Sequence, residues 1–380
     1  MIFAAGALRC KRKGRILSGS MTKEAMDEVP AGIRYEAVSR FFAEHVPGGD
    51  VPLRFALISG GRSNLTYRVE GGGRVWVLRR RPLGHVLPTA HDMAREYRVL
   101  RAMQRAGFPA PPPIALCEDP AVNDYPFYVM EYREGVIIAD RVPEGYAETG
   151  ERRRAIGRAL IETLVQLHAI DYEAVGLGDF GRPEGYLERQ VRRWSEQWAR
   201  SETRPLPAID ELIRRLRASI PVSPKPTIVH GDYRLGNMML DRDDPGRVVA
   251  VLDWEMATLG DPLTDLGYTL VYWGEADDPQ AYFTARIASA ATALPGFHTR
   301  RELVDLYARL SGRDVSAIEW YEVFAQYKLA VIVEGIHARY LKGETVGEGF
   351  EGMGQRAELL VEEALAKADR AADPRLRGEF

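Results

Sequence analysis

Between residues 227 and 255 the chain reads T-I-V-H-G-D-Y-R-L-G-N-M-M-L-D, then a polar turn, then V-V-A-V-L-D-W-E. This stretch constrains the fold more than any other. Ile228 and Val229 close one short apolar run, Met238, Met239 and Leu240 form a second, and residues 248–252 form a third. Short apolar runs bounded by Asp, Gly and Pro predict strands, with Asp243-Asp244-Pro245-Gly246 as the turn between the last two. Residues 230–237 are then a loop between strands, and Asp253 stands at the end of a buried strand. Asp232, Asn237 and Asp253 thereby occupy polar positions on a rigid frame.

Phosphoryl transfer needs such a set. A carboxylate must accept the proton of the attacking hydroxyl, and an amide oxygen with a second carboxylate must hold Mg2+ against the phosphates. The kinase pattern puts its metal-binding Asn five residues after the base, and Asn237 stands five after Asp232. A hairpin whose Asp and Asn merely cap turns is the plainer alternative, and the ordered set between strands argues against it. Here the chain resembles the aminoglycoside phosphotransferase and choline kinase-like family. His230-Gly231-Asp232 stands where protein kinases carry H-R-D, and Asp253-Trp254-Glu255 where they carry D-F-G. The resemblance implies Asp232 as the base, Asn237 and Asp253 as metal ligands, and Arg234 as a cation neutralising the transferring phosphoryl group.

Upstream, an amphipathic helix is predicted over 26–42, followed by strands over 53–59, 65–70 and 74–79. Gly71-Gly72-Gly73 makes the second connection a hairpin. The first connection is small and polar, and G-G-R-S-N-L-T-Y from 60 to 67 is similar to the family's nucleotide loop. That likeness implies phosphate contacts from Gly61, Ser63 and Asn64; without Cβ atoms, glycines let backbone N–H groups come close to phosphates. A kinase's third strand carries a cation for the α/β-phosphates, normally Lys, but no Lys lies between Lys23 and Lys225. Strand alternation puts Arg79 in that role. V-L-R at 77–79 is similar to the branch of the family associated with acyl-CoA dehydrogenases, where Arg is familiar at this point. A helix over 89–104 carries Glu96, the natural ion-pair partner for Arg79. Strands over 114–117 and 126–131 complete an expected five-stranded antiparallel sheet. Tyr128 to Tyr132 resembles the family's hinge, which implies adenine contacts from Met130, Glu131 and Tyr132.

Downstream the pattern is helical, over 152–170, 186–201, 318–341 and 354–371. His168 reads as a satisfied structural histidine, because no second ligand stands at metal spacing. Asp179-Phe180-Gly181 is a literal D-F-G but precedes the 230–237 loop, so it reads as a connecting turn. Two G-x-G-x-x-G matches, at 176–181 and 347–352, follow no strand of a βαβ unit, and no G-x-x-x-x-G-K-[ST] occurs. Gly260-Asp261-Pro262 opens a further helix, with Asp265 expected to tie it to the 230–237 loop.

The expectation is an α+β, bilobal, protein kinase-like fold. A leader over 1–30 is expected to be disordered, a nucleotide-binding lobe to span 31–132, a helical catalytic lobe 133–372, and a loose tail 373–380. The implied cofactors are ATP and Mg2+, and the implied partner is a small-molecule hydroxyl acceptor. A net charge of -3 argues against nucleic-acid or membrane binding. Nothing in the sequence points to an obligate protein partner. Cys10 and Cys117 form no metal spacing and fit a reducing cytoplasm. The short apolar run at 2–8 precedes basic residues, the reverse of a signal peptide. For the acceptor, an aminoglycoside would call for an acidic pocket, for which Glu275, Asp277 and Asp278 are the nearest material. Choline would call for an aromatic cage, for which Trp254, Tyr268, Tyr272 and Trp273 are available. The acyl-CoA-dehydrogenase-associated likeness points instead to a hydroxyacyl thioester or another metabolic alcohol. The absent Lys keeps open a second class, a nucleotide-binding pseudokinase that transfers nothing.

Overall fold

The computed structural model describes residues 29–59, 64–83, 92–284, 287–345 and 349–380. Residues 1–28 of the expected leader and the loop glycine and serine, Gly61 and Ser63, lie outside these residues. The described residues form two units: one runs up to Val136 and takes in Val249–Glu255, and the other comprises Ile137–Val248 and Met256–Phe380.

In chain order the elements begin with α1 (Tyr35–His45), β1 (Arg54–Ser59), β2 (Leu65–Gly71), β3 (Arg74–Arg80), α2 (Met93–Arg105), β4 (Pro113–Cys117), α3 (Pro120–Asn123), β5 (Phe127–Glu131) and β6 (Val136–Ile137). They continue with α4 (Gly150–Ala169), α5 (Tyr186–Ser201), α6 (Pro207–Ala218), β7 (Thr227–Val229), β8 (Met238–Leu240), β9 (Val248–Val251) and β10 (Thr258–Gly260). The last are α7 (Leu263–Tyr272), α8 (Gln280–Thr284), α9 (Arg300–Ser311), α10 (Ile318–Leu341), α11 (Met353–Ala368) and α12 (Pro374–Arg377).

The first unit is built on a five-stranded sheet in the order β1-β2-β3-β5-β4. Its strand pairs are antiparallel, as expected. Gly72 and Gly73 take positive φ of 56° and 75°, which closes the β2–β3 hairpin at no side-chain cost. Inward residues Val69, Leu78, Phe127 and Val129 pack with Val38 and Phe42 of α1. That helix starts at Tyr35, later than the first described residues of the expected span, because Pro30 and Gly32 hold a turn before it, with the Ile33 amide donating to Pro30 O. Helix α2 is capped by Asp92, whose carboxylate accepts from the Arg95 amide at 2.9 Å. The 249–255 segment belongs to this unit through Val251, whose amide donates to Pro109 O at 2.8 Å, and through Trp254, packed edge-on to Phe108.

The second unit is mainly helical. Helices α4, α5 and α10 follow the expected spans closely, α7 opens directly after Pro262 as expected, and Leu187, Val191, Trp194 and Trp198 form the buried face of α5. Helices α6 and α9 were not foreseen. The signal for α9 was present as T-R-R-E at 299–302, which forms a capping box. Strand β10 was also missed; it pairs antiparallel with β7, Thr258 opposite Val229. The residues expected as a loose tail carry α12 instead, because Asp373 caps it and Leu376 is buried. No helix of the described residues is long and apolar enough to cross a membrane.

Helix α10 is apolar on nearly every side and buried from Trp320 to Ile336. It meets α7 at Gly267, where an added Cβ would stand 2.7 Å from the Tyr321 backbone. Gly267→Val is therefore expected to lower unfolding stability by about 1–3 kcal/mol through overpacking, measured by urea denaturation. An unchanged midpoint would show that the helices can separate freely.

Candidate active site

The loop after β7 is shaped by Gly231. Its φ is +83°, and a Cβ there would stand 2.7 Å from Met256 O. That backbone suits only glycine. Asp265, on the first turn of α7, accepts from two successive amides, His230 N at 2.7 Å and Gly231 N at 2.8 Å. This is the tie expected of it. Its other neighbour is His168, with Nε2 3.4 Å away and Nδ1 on Tyr307 Oη at 2.8 Å. His168 is thus a satisfied core histidine, as expected. Burial pushes the Asp265 carboxyl up, but His168 and the loop amide of His230 hold it net below its ordinary value.

Asp232 follows, buried, and its carboxylate is held from two sides. Asn237 Nδ2 donates to Oδ2 at 2.7 Å and also to the Asp232 carbonyl at 2.8 Å, while Arg234 Nε donates to Oδ1 at 3.2 Å. Asn237 reaches back because residues 235–237 form a short 3-10 turn. Its Oδ1 is buried and has no hydrogen-bond partner among the described residues. The Arg234 guanidinium lies over the Tyr272 ring, 4.9 Å from its centroid. One residue that sequence reading passed over joins this cluster. Lys328 of α10, 97 positions from Gly231, donates to the Gly231 carbonyl at 2.7 Å. A single lysine in a long apolar helix was its only signal.

A second cluster lies in the first unit. Arg79 Nε is 3.0 Å from Glu96 Oε1, and its Nη2 is 2.5 Å from Asp253 Oδ1 and 3.7 Å from Glu255 Oε2. The Arg79–Glu96 pair is the one that strand register and helix position anticipate. Glu255 was not anticipated; Asn64 Nδ2 donates to it at 3.1 Å and stands 3.4 Å from Glu96. Burial opposes the Arg79 charge, but Glu96 and Asp253 hold its pKa well above the ordinary value. Burial pushes Glu96 up to about 7, and Asp253 and Glu255 add to that against Arg79. Asp253 takes φ +68°, a left-handed conformation that costs a non-glycine residue about 1–3 kcal/mol.

At the expected hinge Met130 is buried opposite Val77. The Glu131 amide already donates to Pro112 O at 2.9 Å, and its exposed carboxylate pairs with Arg133. A nucleotide edge would therefore not use the Glu131 N–H. Tyr132 lies under the Arg68 guanidinium, 5.3 Å from its ring centroid. Several side chains named for the other acceptors are already engaged among the described residues. Glu275 and Asp278 are neutralised by Arg300, at 3.1 and 2.5 Å. Trp273 is core, with Nε1 donating to His298 O, and the rings of Tyr268 and Tyr272 already carry Lys328 and Arg234.

A family model described as "Phosphotransferase enzyme family" matches residues 54–303. Acyl-CoA dehydrogenase family member 10 of Mus musculus is 34% identical over 313 residues, covering 82% of this chain and 29% of that protein. The chain therefore spans about a third of that relative's length. A solved structure from Ralstonia eutropha, provisionally described as an aminoglycoside phosphotransferase, is 34% identical, covers 89% of this chain and 99% of its own, and superposes with a TM-score of 0.76. A ternary complex of aminoglycoside phosphotransferase APH(4)-Ia with AMP-PNP and hygromycin B is 16% identical, covers 87% and 98%, and has a TM-score of 0.57, a likeness of fold. The kinase-like fold is thus the one the sequence pattern anticipates.

Replacing Asp265 by Ala would leave the amides of His230 and Gly231 and the His168 ring without their acceptor. Breaking such a buried charged network costs about 3–5 kcal/mol. Asp265→Ala is expected to lose that much in chemical unfolding; a loss below about 1 kcal/mol would show the loop to be held by other means.

Proposed function

The chain belongs to the phosphotransferase enzyme family, and from that premise we propose that it moves the γ-phosphoryl group of ATP to a hydroxyl of a small molecule. The observation that carries this reading is the state of Asp232 and Asn237. The carboxylate is fixed by an amide and a guanidinium, and the amide's own oxygen is left buried without a partner among the described residues. A native protein leaves few such atoms unmatched unless something else is to meet them.

Asp232 aligns the acceptor hydroxyl and takes its proton, a contribution of about 10²–10⁴ in rate. Arg234 faces the charge that builds on the transferring group. Asn237 Oδ1 and Asp253 are the groups that would hold Mg2+, and both are oxygen donors of the kind that ion prefers. When bound, Mg2+ supplies neutralisation of the phosphate charge. Arg79 grips the α/β-phosphates, with Glu96 orienting it; its planar fork takes a role that a point charge usually fills. Asn64 and the 60–63 loop, with the hinge at 130–132, take the rest of the nucleotide. The APH(4)-Ia structure supports the nucleotide part, since that protein binds AMP-PNP.

The acceptor is a hydroxyacyl thioester or another metabolic alcohol. Support comes from the name of the mouse relative, which pairs this family with an acyl-CoA dehydrogenase. It comes also from charge: Arg234 and Lys328 stand at the Asp232 loop, and an oligocationic aminoglycoside would meet its own sign there.

Asp232→Asn is expected to keep the thermal shift given by Mg-ATP, about 2.7 kcal/mol at a hundred times the dissociation constant. It is expected to lose about 10²–10⁴ in turnover in an ADP-release assay with a panel of hydroxyacyl thioesters and simple alcohols. Unchanged turnover would remove Asp232 from the role of base. A wild-type chain that binds Mg-ATP and releases no ADP with any acceptor would instead be a nucleotide-binding module without transfer.

A further inference from the structure

We infer that Lys328 is a positioning residue for the proposed reaction: its ammonium clamps the peptide unit that carries Asp232 and so keeps that carboxylate aimed. The inference rests on the phosphotransferase reading and deepens it at the peptide unit before Asp232.

The peptide unit between Gly231 and Asp232 is held at both ends. Its carbonyl accepts from Lys328 Nζ at 2.7 Å, and its N–H donates to His230 Nδ1 at 3.2 Å. Gly231 is the hinge of that unit, and its left-handed φ of +83° is one from which glycine rotates easily. Asp265 fixes the two amides before it, and Lys328 holds the carbonyl of the unit that follows. A turn there would carry the Asp232 side chain away from Asn237 and Arg234.

The placement of Lys328 is not that of a surface lysine. It is half-buried midway along α10, between Tyr327 and Leu329, both fully buried. Its ammonium stands 4.4 Å from the Tyr268 ring centroid on α7 and 5.7 Å from that of Trp194 on α5. The charged groups acting on it are Asp232 in the loop, Asp265 on α7 and Arg193 on α5. Helices α6 and α11 meet α10 elsewhere, through Leu216 with Trp320 and Lys367 with Glu322. A neutral stem of the same length would pack as well, so an ammonium here has an electrostatic use. Burial brings its pKa down to about 8, with Arg193 acting in the same direction and Asp232 and Asp265 opposing. The charge is therefore present below about pH 8 and is lost as pH rises through it.

The test compares Lys328→Met, which keeps the stem, with Lys328→Arg, which keeps a charge through the alkaline range. Lys328→Met is expected to lower kcat by about 10- to 100-fold, the scale of one charged hydrogen bond. KM for ATP should stay within about two-fold, the split that marks loss of a transition-state interaction. Wild-type kcat should decline above about pH 8, the fall should vanish in Lys328→Met, and Lys328→Arg should move it to higher pH. Thermal melts of both variants separate these effects from misfolding. A second arm needs no turnover: in ¹⁵N-lysine NMR, with Lys328→Met assigning the signal, Asp232→Asn should lower the Lys328 titration midpoint by removing the anion that favours its charge. A midpoint that does not move, or a Lys328→Met enzyme with wild-type kcat and the same alkaline fall, would overturn the inference. If no acceptor supports turnover, the phosphotransferase reading fails, while the NMR arm still decides whether Lys328 and Asp232 are coupled.

Discussion

One carboxylate sets the geometry of the 230–237 loop. Asp265 accepts from two successive backbone amides and from the His168 ring, and it is fully buried. Isolated, such a charge would be costly to bury; met by three donors, it becomes a fixed point. Its position follows from local structure. Asp261 caps the start of α7 by accepting from the Leu263 amide at 2.9 Å, and Asp265 then falls on the helix's first turn, facing the end of β7. His168 extends the tie to Tyr307, so α4, α7 and α9 share one hydrogen-bonded chain with the loop.

The chain holds its cations in two different ways. Arg79 is met by Glu96 from α2 and by Asp253 and Glu255 from the segment after β9. A planar guanidinium presents several donors in fixed directions, and here it serves acids from separate elements at once. That multiplicity offers a physical reason why arginine stands where lysine is usual. Lys328 is a point charge, and its site is built for one: a carbonyl ahead of it and aromatic faces beside it.

Much of this was legible from residue order. Strands β2 and β3 were readable because Gly71-Gly72-Gly73 can only be a tight turn, and β3 then put Arg79 in register by alternation. The span from β7 to β9 was readable because short apolar runs alternate there with turn residues. Glu96 was placed because a helix following β3 brings one face to the sheet. Where reading failed, the cause was usually a competing local rule. Helix α1 starts late because Pro30 and Gly32 hold a turn that apolar spacing does not register. Helix α12 escaped because a single buried residue, Leu376, is too weak a pattern to mark four residues as ordered.

Sequence alone determined the class of fold, the loop with Asp232 and Asn237, and the strand that leads to Asp253, because each depends on neighbours within a few positions. Tertiary structure alone decided what surrounds those groups. Lys328 reaches Gly231 across 97 positions, Glu255 reaches Asn64 across 191, and Arg300 cancels the acids at Glu275 and Asp278. The physical reason is range: backbone propensity and turn chemistry act over one or two turns, whereas a charge answers to whatever the packed chain brings within a few ångströms of it.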